Sequence, residues 1–373
     1  RKGLPGIDLS SVKRVINGAE PISWELCEEF LAALAPLGLK RNTMLPVYGL
    51  AEATVGVAFS EPGPEYERVI MDRHSLQIGE TFMPVPEDDA DAVSFVAVGK
   101  AIRDVDIRIA DNDDVSLEPG HIGHIQLRGA SMTERVYGDA DATAALFTED
   151  GWLRTGDCGV FVDDRLVITG REKDIIIING QNYYPHDLEE IVARIDGLDL
   201  NKVVVAGATP KGGQTEELVA FILYRQDLDD FRPLVDAVRD LVGEQTGLAV
   251  DTVVPVPRIP KTTSGKVQRG KLLEAYFEGE FNAVLQELEP ADDEQESFDD
   301  DPFVAELEQI CREVSKDRKI NADDNLFEVG VSSLTLTEVV LAIDEKYPGK
   351  LDISDLFDYP TLREIAAFLK RDT

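Results

Sequence analysis

Lys266 follows a glycine in RIPKTTSGKVQRGKLL (258–273), a small, polar stretch with the outline of a phosphate loop. Such a loop needs a glycine where Pro260 stands and a Ser or Thr where Val267 stands. Lys266 is therefore not a P-loop lysine; it is either a surface lysine or a point charge on a flexible stem, suited to meeting negative charge. Glu52 and Tyr48 in YGLAEAT (48–54), Asp157 in WLRTGD (152–157) and Arg171 in GREKDIIIINGQNYYP (170–185) are further groups able to bind or neutralise charge. Taken singly, each acid also reads as a surface carboxylate and Tyr48 as a core aromatic. Ser333, in LFEVGVSSL (326–334), is a hydroxyl delivered to the start of an apolar-striped helix, beside free backbone N–H groups. A serine there is most often a plain N-cap.

These residues need elements to hold them. The 373 residues are enough for two or three domains with proper cores, and 43% hydrophobic with 29% charged content describes a soluble globular protein. The three cysteines (Cys27, Cys158, Cys311) are scattered, which fits a reducing, cytoplasmic setting and no disulfide framework. The longest apolar runs, IIII (175–178) and LVAFIL (218–223), are too short to span a bilayer, and RKGLPGIDLSS has no apolar stretch of the signal-peptide kind. A net charge of −35 argues against a nucleic-acid partner.

One compositional break divides the chain. ELEPADDEQESFDDD (287–301) carries nine acids in fifteen residues and no base, the pattern of an extended, solvated linker. Before it, strand-like segments such as VDIRIAD (105–111), HIQLRG (124–129) and VVVAGA alternate with a helical FRPLVDAVRDLVGEQTG. GVFVDDRLVITG (159–170) reads as a hairpin with Asp163 and Asp164 at its turn. After the break the pattern is helical only. Asp301 and Pro302 predict a helix start, Phe303, Leu307, Ile310 and Val314 an apolar stripe, and Thr361 with Glu364 a capping box.

The region 302–371, with LFEVGVSSL followed by a helix and DLFDYPTLREIAAFL, resembles an acyl or peptidyl carrier protein. The resemblance implies a 4′-phosphopantetheine arm on Ser333 and a phosphopantetheinyl transferase to attach it; Ser332 departs from the Asp or His usual before that serine. PKTTSGKVQR, YGLAEAT, WLRTGD and GREKDIIIINGQNYYP, in that family's order along the chain, resemble the adenylate-forming superfamily of acyl-CoA synthetases, adenylation domains and luciferases. The resemblance implies that ATP activates a carboxylic acid as an acyl adenylate. Lys266 would then bond the carboxylate and α-phosphate, and Glu52 would hold Mg²⁺. Asp157 would accept the ribose hydroxyls, and Arg171 would reach ribose and phosphate. Gly18, Ala19, Glu20 and Pro21 of NGAEP, together with Tyr48, Gly49, Leu50 and Ala51, would line adenine, and Lys173 would be the hinge about which a small subdomain turns.

The expected architecture is α/β, followed by an all-α four-helix carrier domain. Residues 1–170 are expected to be the C-terminal part of the large adenylation domain, 171–284 its mobile subdomain, 285–300 the linker and 301–373 the carrier. The family's Ser/Thr- and Gly-rich phosphate loop belongs upstream of NGAEP, so the large domain is expected to be truncated at its N-terminal side. Ala51, where most of the superfamily has threonine, and INGQNYYPHDLE are similar to the fatty acyl-AMP ligase branch. That branch passes the acyl group to a carrier rather than to free CoA, and carries an insertion that hinders CoA thioester formation; residues 61–94 are the candidate. The expectation is a fatty-acid loading module for a polyketide or nonribosomal peptide line. An acyl-CoA synthetase, an amino-acid adenylation module and a non-catalytic carrier or docking fragment are the alternatives. His121 and His124 are not expected to bind metal, His186 is expected to be structural, and Cys158 is expected to have no base beside it.

Overall fold

Short strands rich in Val, Ile and Leu, separated by turn residues, build the first part of the chain. The computed structural model describes residues 6–178, 180–209, 216–263, 265–288, 301–314, 320–326, 333–353 and 355–371. Strands β1 (Val15–Asn17) and β2 (Met44–Tyr48) run parallel, joined through helix α1 (Trp24–Leu34), whose first turn is capped by Ser23 accepting from the Leu26 N–H at 3.3 Å. There follow β3 (Ala58–Phe59), β4 (Arg68–Asp72), β5 (Ala92–Ala101), β6 (Val105–Ala110), β7 (Gly123–Gly129), α2 (Ala140–Leu146), β8 (Leu153–Val162) and β9 (Arg165–Arg171). The sheet order is β1-β2-β3-β5-β9-β8-β7-β6, with β4 also on β5, and every pair after β1–β2 is antiparallel. Tyr48, Val57, Val98, Ile125, Leu127, Leu153 and Leu166 form a core beneath the sheet.

The β8–β9 hairpin turns on Asp163 and Asp164 with φ of 47° and 62°, the left-handed pair that a tight two-residue hairpin requires. β9 runs on through the expected boundary at residue 170 and ends at Arg171. Glu172–Asp174 then make one 3-10 turn before β10 (Ile176–Ile178) pairs with β11 (Gln181–Tyr183). Helix α3 (Pro185–Val192) precedes β12 (Val203–Ala208), β13 (Glu217–Leu223), α4 (Arg232–Thr246) and β14 (Thr252–Val256). β13 pairs antiparallel with β12 and parallel with β14, and α4 supplies the crossover that a parallel pair needs. Helix α5 (Arg269–Phe277) and α6 (Asn282–Leu288) close this part. The expected linker began at residue 285, but α6 carries the chain in helix to Leu288; residues 289–300, most of that linker, lie outside the described residues. No helix among the described residues is long and apolar enough to cross a membrane.

The chain divides into two compact units, 1–286 and 287–373. The second contains α7 (Pro302–Val314), α8 (Ser333–Lys346), the short α9 (Asp355–Asp358) and α10 (Leu362–Arg371), four helices among the described residues. Asp301 accepts from the Phe303 N–H at 3.0 Å. Thr361 Oγ1 accepts from the Glu364 N–H at 3.2 Å while the Glu364 carboxylate accepts from the Thr361 N–H at 3.2 Å, the reciprocal box that the sequence predicts. Leu307 and Ile310 enter the core with Val339, Ile343, Leu356 and Ile365, and Phe303 and Val314 pack against its margin. A fully buried Leu or Ile contributes about 1.5–3 kcal/mol, so this cluster holds the unit together.

Candidate active site

Two loops leave the carboxyl ends of the parallel neighbours β1 and β2, the side on which α/β sheets bind ligands. Gly18–Pro21 follow β1, and Gly49–Glu52 follow β2. Ala19 has φ of 78°, a conformation rare for any residue but glycine, so the first loop holds a strained backbone. A Cβ on Gly18 would stand 2.5 Å from the Val47 carbonyl oxygen, and one on Gly49 would stand 1.7 Å from that of Val55. Gly49→Ala should therefore displace the loop and cost upward of about 2 kcal/mol. Thermal unfolding checks this, and an unchanged midpoint would contradict the packing.

Asp157 is the centre of the site. It lies on β8, nearly buried, opposite Arg171 on β9. The Tyr48 hydroxyl donates to Asp157 Oδ2 at 2.6 Å, and Arg171 Nε donates to Oδ1 at 3.1 Å. Its own N–H donates to Thr155 Oγ1 at 3.0 Å, and that hydroxyl donates to the Ile125 carbonyl at 2.8 Å. Burial pushes the Asp157 carboxyl above its ordinary range; Tyr48, Arg171 and the positive charge of Lys266 pull it back. Burial, with Asp157 beside it, pushes the Tyr48 phenol well up, so Tyr48 stays a donor. Tyr48 thus braces the carboxylate as well as standing beside the loop expected at adenine. Thr155, two residues before Asp157, was not singled out by the sequence, although a threonine at that spacing forms a local side-chain turn.

Lys266, whose charge acts on this centre, belongs to a separate element. Its loop is closed by the Thr262 N–H donating to the Lys266 carbonyl at 2.8 Å, the Lys266 N–H donating to Thr262 Oγ1 at 3.0 Å and the Gln268 N–H donating to the Pro260 carbonyl at 3.0 Å. Residue 264 lies outside the described residues. Glu52 is exposed on a 3-10 turn, its carbonyl accepting from the Thr133 N–H at 2.6 Å, and among the described residues its carboxylate makes no ion pair. Lys173 is exposed in the middle of the 3-10 turn after β9. Ser333 is the first residue of α8, and residues 327–332, with the expected Gly-x-Ser-Ser turn and Ser332, lie outside the described residues.

One expectation is corrected. Cys158 does have a base beside it, because β7 pairs His124 with Cys158 and brings His124 Nδ1 to 3.9 Å from the sulfur, with Glu172 Oε2 3.8 Å beyond. The thiol is nonetheless pushed up to about 12 by burial, with Glu172 and Asp157 adding to it, and stays protonated. His186 packs against Phe95 and Tyr184, and burial pushes its imidazole down to about 4.

A loop pair at a sheet end, a buried carboxylate held by a tyrosine and an arginine, and a separate helical unit are the features to be matched. Residues 2–137 match the AMP-binding enzyme family, 173–286 the AMP domain of Disco-interacting protein 2-like proteins, and 305–369 the phosphopantetheine attachment site. The chain belongs to the adenylate-forming superfamily and carries a carrier domain C-terminal to its AMP-binding part. It is 31% identical to a long-chain-fatty-acid–AMP ligase of Mycolicibacterium smegmatis, over 76% of this chain and 51% of that protein. It is 27% identical to a nonribosomal peptide synthetase of Aspergillus terreus, over 98% of this chain and 39% of that protein. A solved structure of an adenylation–carrier pair, McyG A-PCP complexed with phenylalanyl-adenylate, superposes with a TM-score of 0.69 at 27% identity, covering 97% of this chain and 55% of that one. The chain therefore spans about two fifths to one half of the curated relatives it matches.

Proposed function

We propose that the protein is a carrier-fused fatty acyl-AMP ligase: it activates a fatty acid with ATP and passes the acyl group to the phosphopantetheine arm on Ser333, for a downstream polyketide or nonribosomal peptide module. The observation that carries the adenylating half is the convergence of Tyr48, Arg171 and the charge of Lys266 on Asp157. An ionised, braced Asp157 accepts hydrogen bonds from both ribose hydroxyls. Lys266 meets the entering carboxylate oxygen and the α-phosphate as negative charge gathers there. The loops at 18–21 and 49–51 flank adenine. Glu52, exposed and unpaired among the described residues, fits Mg²⁺, which takes few protein carboxylates and otherwise keeps water and phosphate oxygens; the ion would neutralise phosphate charge.

The fatty-acid assignment draws support from Ala51, from the fatty-acid–AMP ligase relative and from residues 61–94, which are built into the fold rather than looping free. They supply β4 on β5, and Arg73 in the turn after it donates to Asp187 of α3 at 2.7 Å and to the Gln245 carbonyl at 3.2 Å. Amino-acid adenylation is the second reading, favoured by the match of the whole chain to an adenylation–carrier pair. Intact mass spectrometry of the protein, after a phosphopantetheinyl transferase, ATP, Mg²⁺, a fatty-acid mixture and amino acids, decides between them. A fatty-acyl mass on Ser333, with no acyl-CoA formed from added CoA, is the expected outcome; an aminoacyl mass or free acyl-CoA overturns it.

A pH dependence follows from Asp157. Its carboxyl lies above the ordinary range when buried, so nucleotide binding is full above that raised value and is lost as pH falls through it. Arg171 holds the value down. Arg171→Gln should therefore shift the acid limb of the ATP-binding profile to higher pH, besides weakening binding at every pH. A limb that stays in place contradicts the role given to Asp157.

A further inference from the structure

Helix α5 opens with a cation where a helix least favours one. The positive end of the macrodipole lies at its N-terminus, no side chain caps it and no acid stands in its first turn, yet its first residue is Arg269. That guanidinium is turned to other elements. Its Nη2 donates to both carboxylate oxygens of Glu189, on α3, at 2.6 and 2.8 Å, and its Nε donates to the Val205 carbonyl, on β12, at 3.3 Å. Nη1 stands 4.0 Å from Asp174 Oδ2, in the 3-10 turn that follows Arg171. Glu189 Oε1 also accepts from the Val205 N–H at 3.0 Å. Both partners are largely buried, with side chains 20% and 11% exposed.

We propose that Arg269 is the positioning residue for Lys266, tying the lysine loop to α3 and to the turn after Arg171 so that Lys266 and Arg171 hold a fixed relation. The loop closes on itself by the backbone bonds 262–266 and 260–268, so Lys266 moves with its loop as a body. That body runs straight into α5, and Arg269, three residues on from Lys266, is the side chain that fastens its base. Without the fork, the loop keeps its shape and loses its bearing. The chemistry of the anchor suits such a role, because a guanidinium that bonds Glu189 through Nη2 and the Val205 carbonyl through Nε makes a fork that fixes direction, which a single-point cation does not.

The proposal rests on the reading of Lys266 given above, and the test separates the two in the intact protein. In Glu189→Gln/Arg269→Met no charge is left buried and residue 189 still accepts from Val205, so the thermal midpoint should stay near that of the unsubstituted protein. Acid-dependent pyrophosphate exchange should fall on the order of ten- to a hundredfold, the cost of a misplaced catalytic group. Transfer from presynthesised acyl adenylate to the carrier should change by less than about twofold. Arg269→Lys keeps the charge without the fork and should show the same split with a smaller loss; if the double variant unfolds, it decides. Equal loss in both half-reactions means a merely structural ion pair, and exchange within about twofold of the unsubstituted protein means no role; either overturns the proposal. Lys266→Ala is the control: if it too leaves exchange intact, the reading of Lys266 falls and the proposal with it.

Discussion

Lys266→Ala should cripple acyl-adenylate formation and spare the transfer that follows. In the role proposed for it, the lysine would meet charge that exists only while the carboxylate attacks the α-phosphorus and pyrophosphate leaves. Removing such a group costs the transition state and not the bound acid, so the loss appears in the turnover rate, on the order of a hundred- to a thousandfold. Once the adenylate exists, that charge has gone with pyrophosphate, and Lys266 has no further work. The loop itself survives the substitution, since it is closed by backbone bonds and the Thr262 hydroxyl, none of which uses the Lys266 side chain. Pyrophosphate exchange and single-turnover transfer from presynthesised acyl adenylate measure the two halves separately. Equal loss in both would remove Lys266 from this role.

Lys173→Pro should do the reverse, keeping exchange and losing transfer. On the proposed function, a single site would serve both half-reactions only if the Lys266 loop withdrew before the thiol entered, and rotation about residue 173 would carry it away. Residues 172–174 form one 3-10 turn whose backbone bond is the Ile175 N–H donating to the Glu172 carbonyl at 3.3 Å. Lys173 lies in the first turn, where its N–H is free of helical pairing and proline is tolerated, and its side chain is exposed, so packing loses nothing. Proline then locks φ near −65° and should hold the arrangement proposed for adenylation. Exchange should remain within about twofold while loading of the Ser333 arm falls more than about tenfold. Normal single-turnover loading would refute the hinge.

The candidate site was legible wherever its residues lie in one contiguous motif. Tyr48 with Glu52, Asp157, and Lys266 each fall in a short stretch that resembles the adenylate-forming superfamily, and that resemblance, rather than residue type and spacing alone, suggested their roles; Thr155, two residues before Asp157, was missed. The β8–β9 turn and the caps of α7 and α10 were legible for the same reason: aspartates in left-handed conformations and a threonine–glutamate box act on their own neighbours. Pairing across the fold was not legible. His124 reaches Cys158 only because β7 lies against β8, and Glu189 reaches Arg269 across 80 positions of chain. Nothing local marks such partners. The second contact of Tyr48 was not legible, because its bond to Asp157 spans 109 positions. Helix α6 was hidden by acidity: NAVLQEL runs directly into the charge run beyond it, and composition cannot tell a solvated helix end from a linker.

Strand β5 is lined along one edge first by β4, against Ala92–Val96, and then by β3, against Lys100 and Ala101, while β9 takes the other edge. Residues 61–94 therefore act as weatherproofing for the middle of the sheet. Excising them would remove β4 together with Ala92–Ser94 of β5 and leave the main chain of Phe95 and Val96 bare on an apolar strand, inviting the sheet edge of another molecule to dock there. A chimera lacking the segment would precipitate or self-associate before its thiol preference could be measured. The expected block on CoA is better probed by substituting His74, exposed on the turn after β4 and bonded to Gln181, which leaves the seam between β4 and β5 closed.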